Sequence, residues 1–266
     1  MTKKKKILLI VLLSLVAFIV GLFFLVKIYK VEINFLSTQS YYQTETVNDC
    51  KKDINFFSTT LIFNKKRYMQ ILEKNNPYLK VVSIECKFPC KIVVHCVERE
   101  PFYYVEDEQN FILLDGELKV LNIAQEVNVS SLIKIEDTLE NIERTSINVG
   151  EKIIFKNQKN QEILESIYSA NVQNLKTVTD FTTLYKKVQI NRVLSPTTLN
   201  FVSVVNLELR SGATLQIYDA KNSFAKKLQY ANLMLASLSP VEKQQGTILV
   251  FENTNNKIES RYFIEE

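Results

Sequence analysis

The sequence predicts an α+β fold behind one N-terminal membrane helix, and three observations carry the prediction. Residues Ile7 to Val26 contain no charge. The next seventy or so residues read as strand, helix, helix, strand, strand. From Pro101 onward the pattern is mostly strands, with two amphipathic helices among them. The expected organisation is a cytoplasmic tail (1–6), a transmembrane helix (7–26), a β-α-α-β-β domain (27–100) and a mostly antiparallel sheet with helices packed on it (101–266).

Twenty apolar residues at a rise of about 1.5 Å each match a hydrocarbon core of about 30 Å. Lys3 to Lys6 precede the stretch and Lys27 and Lys30 follow it. The denser positive flank keeps the N-terminus cytoplasmic and the remainder outside. No small-residue cleavage site follows Val26, so a retained anchor is expected rather than a signal peptide. Those four lysines belong to the chain's 33 basic residues, leaving 29 against 29 acidic ones. A basic nucleic-acid footprint is therefore absent.

Residues 29–36 alternate, with Val31, Ile33 and Phe35 on one face, as a strand does. A short helix is expected around Glu45 to Cys50. A better one runs from Asn64, its cap, to Asn75, with Tyr68, Ile71 and Leu72 on one face. Two strands follow, Leu79–Cys86 and Cys90–Glu98, around Lys87-Phe88-Pro89. The unbroken Ile92-Val93-Val94 suits a strand buried on both faces. The expected register sets Cys86 opposite Cys90, Ile84 opposite Ile92 and Val82 opposite Val94. Cys86 and Cys90 are then a candidate disulfide pair, in a compartment that permits oxidation. Cys96 is expected as a buried thiol. A zinc site joining cysteines with His95 is disfavoured, because His95 and Cys96 point to opposite faces of a strand.

Beyond Pro101 the expected strands are 102–105, 111–114, 117–121, 132–135, 188–190, 205–210, 213–218, 247–251 and 257–264. Asp115-Gly116 suggests a type I′ hairpin. The helices are expected at 158–171 and at 223–238, the latter capped by Asn222. The last strand lies two residues from the C-terminus, so it is expected at a sheet edge, where backbone can pair with an incoming strand.

Catalytic chemistry has little to draw on. Histidine occurs once, at His95, within the buried strand. No glycine-rich phosphate loop exists, and no carboxylate pair stands out. Asn128-Val129-Ser130 matches a glycosylation triplet of the kind an Asn-rich chain contains by chance. No cofactor, catalytic residue or metal ligand is predicted. An anchored small-ligand receptor and an anchored cell-wall hydrolase using His95 are the alternatives from other classes.

The order of elements resembles the FtsQ/DivIB family of bacterial cell-division proteins over nearly the whole chain. The strand-helix-helix-strand-strand unit is similar to a POTRA domain. Asn76-Pro77-Tyr-Leu-Lys-Val-Val-Ser-Ile84 matches the family's run from second helix into second strand. Phe88-Pro89 sits at its hairpin proline, Val97-Glu-Arg-Glu-Pro101 at the end of its third strand, and Leu114-Asp-Gly116 at its next hairpin. The first strand departs from the pattern, with Leu36-Ser37-Thr38 in place of a glycine turn. The resemblance implies a non-enzymatic divisome scaffold at the septum. It implies a POTRA-like domain that meets other divisome proteins, and a β domain that binds bitopic partners similar to FtsB/DivIC and FtsL. Partner contact then maps to Thr247, Leu249, Phe251, Ile258, Arg261, Tyr262 and Phe263, with Arg261, Tyr262 and Phe263 as side-chain anchors.

Overall fold

A computed structural model describes residues 3–28, 30–36, 63–136, 142–174, 181–194, 201–220, 223–253, 255 and 257–264. The chain divides into two compact units, Met1–Arg99 and Glu100–Glu266, and the whole is mixed α+β.

The first unit opens with α1 (Lys3–Val26), whose described side chains, 10–22, are solvent-exposed. Among the described residues no helix is long and apolar enough to cross a membrane. Strand β1 (Lys30–Phe35) follows. The helix expected around Glu45 to Cys50 lies outside the described residues. Helix α2 (Lys65–Asn75) starts where its cap predicts: Asn64 Oδ1 accepts the Arg67 N–H at 3.0 Å. This occupies one of the donors a helix start leaves open.

Strands β2 (Leu79–Lys87) and β3 (Lys91–Glu98) complete a sheet in the order β1-β3-β2, with β1 parallel and β2 antiparallel to β3. The central position of β3 explains its apolar run, since Ile92, Val93 and Val94 are all buried. Tyr68 and Leu72 of α2 pack with Val31, Leu79, Val81, Ile84, Val94 and Cys96. Burial pushes the Cys96 thiol up to about 12.

The hairpin register corrects the expected one. Lys87 pairs with Lys91, Cys86 with Ile92 and Ile84 with Val94, so the three-residue loop is Phe88-Pro89-Cys90. Cys86 and Cys90 are not opposite each other, and both are free thiols here. A bulge between Val81 and Ser83 shifts the alternation, so Leu79, Val81 and Ile84 face the core and Val82 is 52% exposed. Its physical cause lies in two charged side chains. Glu73 of α2 accepts the Val81 N–H at 2.8 Å, diverting it from the ladder. The other Glu73 oxygen accepts from the Arg99 guanidinium at 3.2 Å, and Arg99 Nε donates to the Leu79 carbonyl at 3.3 Å. The Val-Glu-Arg-Glu-Pro motif thus carries a structural lock on the start of β2.

The second unit is built on a nine-stranded sheet in the order β12-β11-β10-β9-β8-β7-β4-β5-β6. Its strands are β4 (Tyr103–Asp107), β5 (Asn110–Leu114), β6 (Val120–Ala124), β7 (Ile133–Ile135), β8 (Tyr185–Leu194), β9 (Phe201–Leu209), β10 (Thr214–Tyr218), β11 (Thr247–Glu252) and β12 (Ile258–Phe263). Most neighbours are antiparallel; β4–β7, β7–β8 and β10–β11 are parallel. Helices α3 (Gln158–Asn174) and α5 (Phe224–Ser237) contribute Ile163, Leu164, Ile167, Phe224, Leu228, Ala231 and Leu235 to one core with the sheet. A short α4 (Phe181–Leu184) precedes β8. The Tyr103 hydroxyl donates to the Leu164 carbonyl at 2.9 Å, and the Tyr185 hydroxyl to Asn232 Oδ1 at 3.0 Å, fastening both helices.

The Asp-Gly turn also differs from expectation. Leu114 pairs with Val120, so the loop runs over residues 115–119 rather than closing in two. Leu118, at φ 65°, takes the left-handed position and is fully buried. Asp115 Oδ1 holds the loop by accepting the Glu117 and Lys119 N–H groups. Gly116 is there for space, since a Cβ would meet the Tyr168 ring at 2.0 Å. Burial of a leucine outweighs the local turn preference. Strand β8 is far longer than the segment expected at 188–190. Helix α5 begins after Ser223, which has a left-handed backbone and no side-chain cap bond; Asn222 lies outside the described residues.

Candidate functional site: the exposed edge of the C-terminal hairpin

The nine-stranded sheet has two ends, β6 and β12. At β6 the outer edge is partly taken: Val120 N–H donates to the Glu151 carbonyl, and its own carbonyl accepts from Gly150. Among the described residues β12 pairs with β11 alone, in an unbroken antiparallel ladder from Glu252↔Ile258 to Thr247↔Phe263.

The direction of each backbone group follows from the ladder. Asn253 N–H donates to the Lys257 carbonyl at 2.9 Å, closing the hairpin. Bonded and non-bonded pairs alternate in an antiparallel ladder. Glu259, Arg261 and Phe263 therefore turn their backbone groups toward β11. Ile258, Ser260 and Tyr262 turn theirs outward. The parallel β10–β11 side agrees, since Thr214 N–H donates to the Gly246 carbonyl, which leaves Thr247, Leu249 and Phe251 to bond with β12.

The residues expected at the partner surface divide between two faces. Thr247, Leu249, Phe251, Arg261 and Phe263 share the face away from α5. There the Arg261 guanidinium lies 5.1 Å from the Phe251 ring centre and bonds Glu259 at 3.1 Å. The Glu259 carboxyl is held below its usual range, first by the Asn253 amide and then by Arg261. Phe263 is 43% exposed. Ile258 and Tyr262 lie on the other face and pack against the core. The Tyr262 hydroxyl is shared between the carbonyls of Glu242 (3.1 Å) and Gln245 (3.0 Å), fixing the turn that leads into β11. Sequence reasoning found Tyr262 as an aromatic on an edge strand, but nothing local signals this bond to a segment 17 to 20 residues earlier.

Lys227, which the sequence reading passed over, supports the hairpin from beneath. Its side chain is fully buried in α5. Its ammonium donates to the carbonyls of Tyr218 (3.1 Å) and Asp219 (2.9 Å) and lies 3.6 Å from Glu252 Oε2. This ties the ends of β10 and β11 to the helix. A lysine amid an apolar stripe gives no sequence sign of burial.

Elsewhere, His95 stands opposite Ser83 with Nε2 at 3.5 Å from Glu85 Oε1. Among the described residues no cluster of His, Cys, Asp and Glu could hold a metal ion. A cavity of about 300 Å³ lies between the starts of α3 and α5, lined by Lys159, Ser166, Ser223 and Lys226 among others.

The mixed sheet thus ends on an exposed hairpin strand, buttressed by a helix, with backbone groups of the kind strand addition uses. The chain is similar to cell division protein DivIB of Clostridium tetani, with 26% identity over 179 residues, 63% of each chain. It is also similar to cell division protein DivIB of Clostridium acetobutylicum, with 33% identity over 92 residues, 34% of this chain and 35% of that one. The matches cover less than two thirds of either relative's length, and no family model matches. These two relatives support a resemblance to the FtsQ/DivIB family.

Proposed function

We propose that this protein is a non-enzymatic cell-division scaffold, anchored in the bacterial membrane by α1, that binds bitopic partners similar to FtsB/DivIC and FtsL at the septum. The names of both relatives support the division role. The charge-free run Ile7–Val26 between lysines supports the anchor, with the N-terminus cytoplasmic and everything after Val26 outside. The first unit is read as POTRA-like and as the contact for other divisome proteins.

The single observation that carries the partner reading is the β12 edge. Its outward groups at Ile258, Ser260 and Tyr262 present a template for one more strand. Backbone pairing supplies affinity and alternate side chains supply specificity. Asn232 is turned toward β8 by Tyr185. At about 100° per residue, the opposite flank of α5, Tyr230 and Met234, then overlooks β12. An incoming strand meets Ile258, Tyr262 and that flank on one side, and Arg261 and Phe263 on the other.

Ser260→Pro tests this. Its N–H points outward, so proline removes no ladder bond, and edge positions tolerate it. Proline at Tyr262 would block the same edge but also release the 242–245 turn. Co-purification of the DivIC-like partner is expected to disappear in Ser260→Pro while Tm falls by less than about 5 °C. Undiminished co-purification would remove β12 from the account. The division role is tested separately with an N-terminal fluorescent fusion. A midcell band before constriction is expected, and uniform membrane signal through the cycle would count against it.

A further inference from the structure

We propose that the β2–β3 hairpin tip at Phe88 is a second membrane contact, with its aromatic ring at the lipid boundary and its basic surround against anionic phospholipid headgroups. The proposal rests on reading α1 as the membrane anchor. The geometry starts from chain reach. Helix α1 ends at Val26 and β1 begins at Lys30, so four peptide steps, at most about 14 Å, separate them. Lys30 N–H then donates to the Cys90 carbonyl at 3.3 Å, and Lys30 pairs with Lys91 in register. The hairpin tip is therefore beside the point where the chain leaves the anchor.

The rest of the unit is arranged around that end. β1 and β3 run parallel away from it, and β2 arrives at it. Helix α2 starts toward this end too, since its last turn is held at the start of β2 by the Glu73 carboxylate accepting the Val81 N–H. Phe88 is 68% exposed at the extreme of the loop. At the same end of the unit are Lys30, Lys65, Lys66, Arg67 and Lys87, all exposed. Among the described residues the acids at this end are Glu32, which is bonded to Lys91, and Glu85, 3.7 Å from Lys87. The opposite end of the unit mixes its signs, with Glu73, Lys74, Glu98 and Arg99. In water an exposed phenylalanine at a basic end of the unit gains nothing. At a membrane surface the ring enters the acyl–headgroup boundary, and the lysine stems lie along apolar matter with their ammonium groups at phosphate level.

The chain contains no tryptophan, so Phe88→Trp is a lone reporter. Val82→Trp is the control, since Val82 is exposed on the same hairpin but about 20 Å along the strand from the tip. Full-length protein is reconstituted in phosphatidylcholine–phosphatidylglycerol vesicles carrying brominated phosphatidylcholine, and flotation is scored first. The Phe88→Trp emission is expected to be quenched about twofold or more relative to unbrominated vesicles, with Val82→Trp unquenched. Adding Lys65→Glu, Lys66→Glu and Arg67→Glu together, or omitting phosphatidylglycerol, is expected to reduce that quenching. Equal emission from Phe88→Trp with and without bromine, in protein that floats, overturns the proposal and leaves the anchor intact. Protein that fails to float overturns the anchor and this proposal with it.

Discussion

Strands β2 and β12 are both sheet edges, and they are finished in opposite ways. β2 carries a bulge at Val82, has one of its N–H groups taken by Glu73, and shows Lys80, Glu85 and Lys87 along its length. These are devices by which proteins discourage unwanted strand pairing. β12 keeps two charges, Glu259 and Arg261, but they bond each other over Phe251. It runs six residues in register with β11, with no bulge and no proline. Among the described residues, its outward backbone groups meet no side chain of the kind Glu73 provides. The difference shows that an open edge is a property of β12 and not a necessity of the chain, because the same chain closes another.

Breaking the closed edge gives the largest expected effect. Glu73→Ala leaves the Arg99 guanidinium, 7% exposed, without its carboxylate, and strips the Val81 N–H of its acceptor. Removing one partner of a buried pair leaves an uncompensated charge, so the first unit is expected to lose about 3 kcal/mol by denaturant unfolding. A change below about 0.5 kcal/mol would mean that the bulge does not depend on this lock.

Loosening the support of the open edge comes next. Lys227→Ala frees two carbonyls and Glu252 beneath the hairpin. The second unit is expected to lose about 2 kcal/mol, discounted because Glu252 remains partly in water. Partner affinity should fall with it, because β12 then lacks a fixed base. Unchanged affinity in a destabilised chain would show that β12 needs no such anchoring.

Arg261→Glu alters only the rim. The side chain is 61% exposed, so the fold should hold. Partner binding is expected to weaken about tenfold, more at low salt than at high. A salt-independent loss would point to packing over Phe251 rather than charge.

The smallest effect is acid sensitivity. Glu259 is held below its usual range by the Asn253 amide and Arg261, and Glu242 by its bonds to Ser239. A lowered folded pKa gives stability that is present above the unfolded value and is lost as pH falls through the folded one. Below about pH 4.3 the β11–β12 hairpin should therefore fray. Amide exchange rates in β12, corrected for intrinsic pH dependence, should rise there, and flat corrected rates would deny these carboxylates a role.

How much of this was legible depends on the range of the cause. Helix α2 was readable because Asn64, Tyr68 and Leu72 act within about two turns. The central place of β3 was readable because Ile92-Val93-Val94 needs cover on both faces. The β2–β3 register was not readable, because the Val82 bulge is set by Glu73 and Arg99, bonded 26 residues apart. The Asp-Gly turn misled because full burial of Leu118 offsets its left-handed backbone. The seven residues expected at the contact lie on β11 and β12, but alternation alone could not say that Ile258 and Tyr262 face inward, since the position of α5 decides it.

Amide exchange on the second unit within the full chain, with and without the ectodomain of the proposed DivIC-like partner, tests the central claim most directly. The account predicts that Ile258, Ser260 and Tyr262 become protected on binding, while the already bonded Glu259, Arg261 and Phe263 change little and β2 does not change. Saturated binding with the three outward amides still exchanging freely would contradict it.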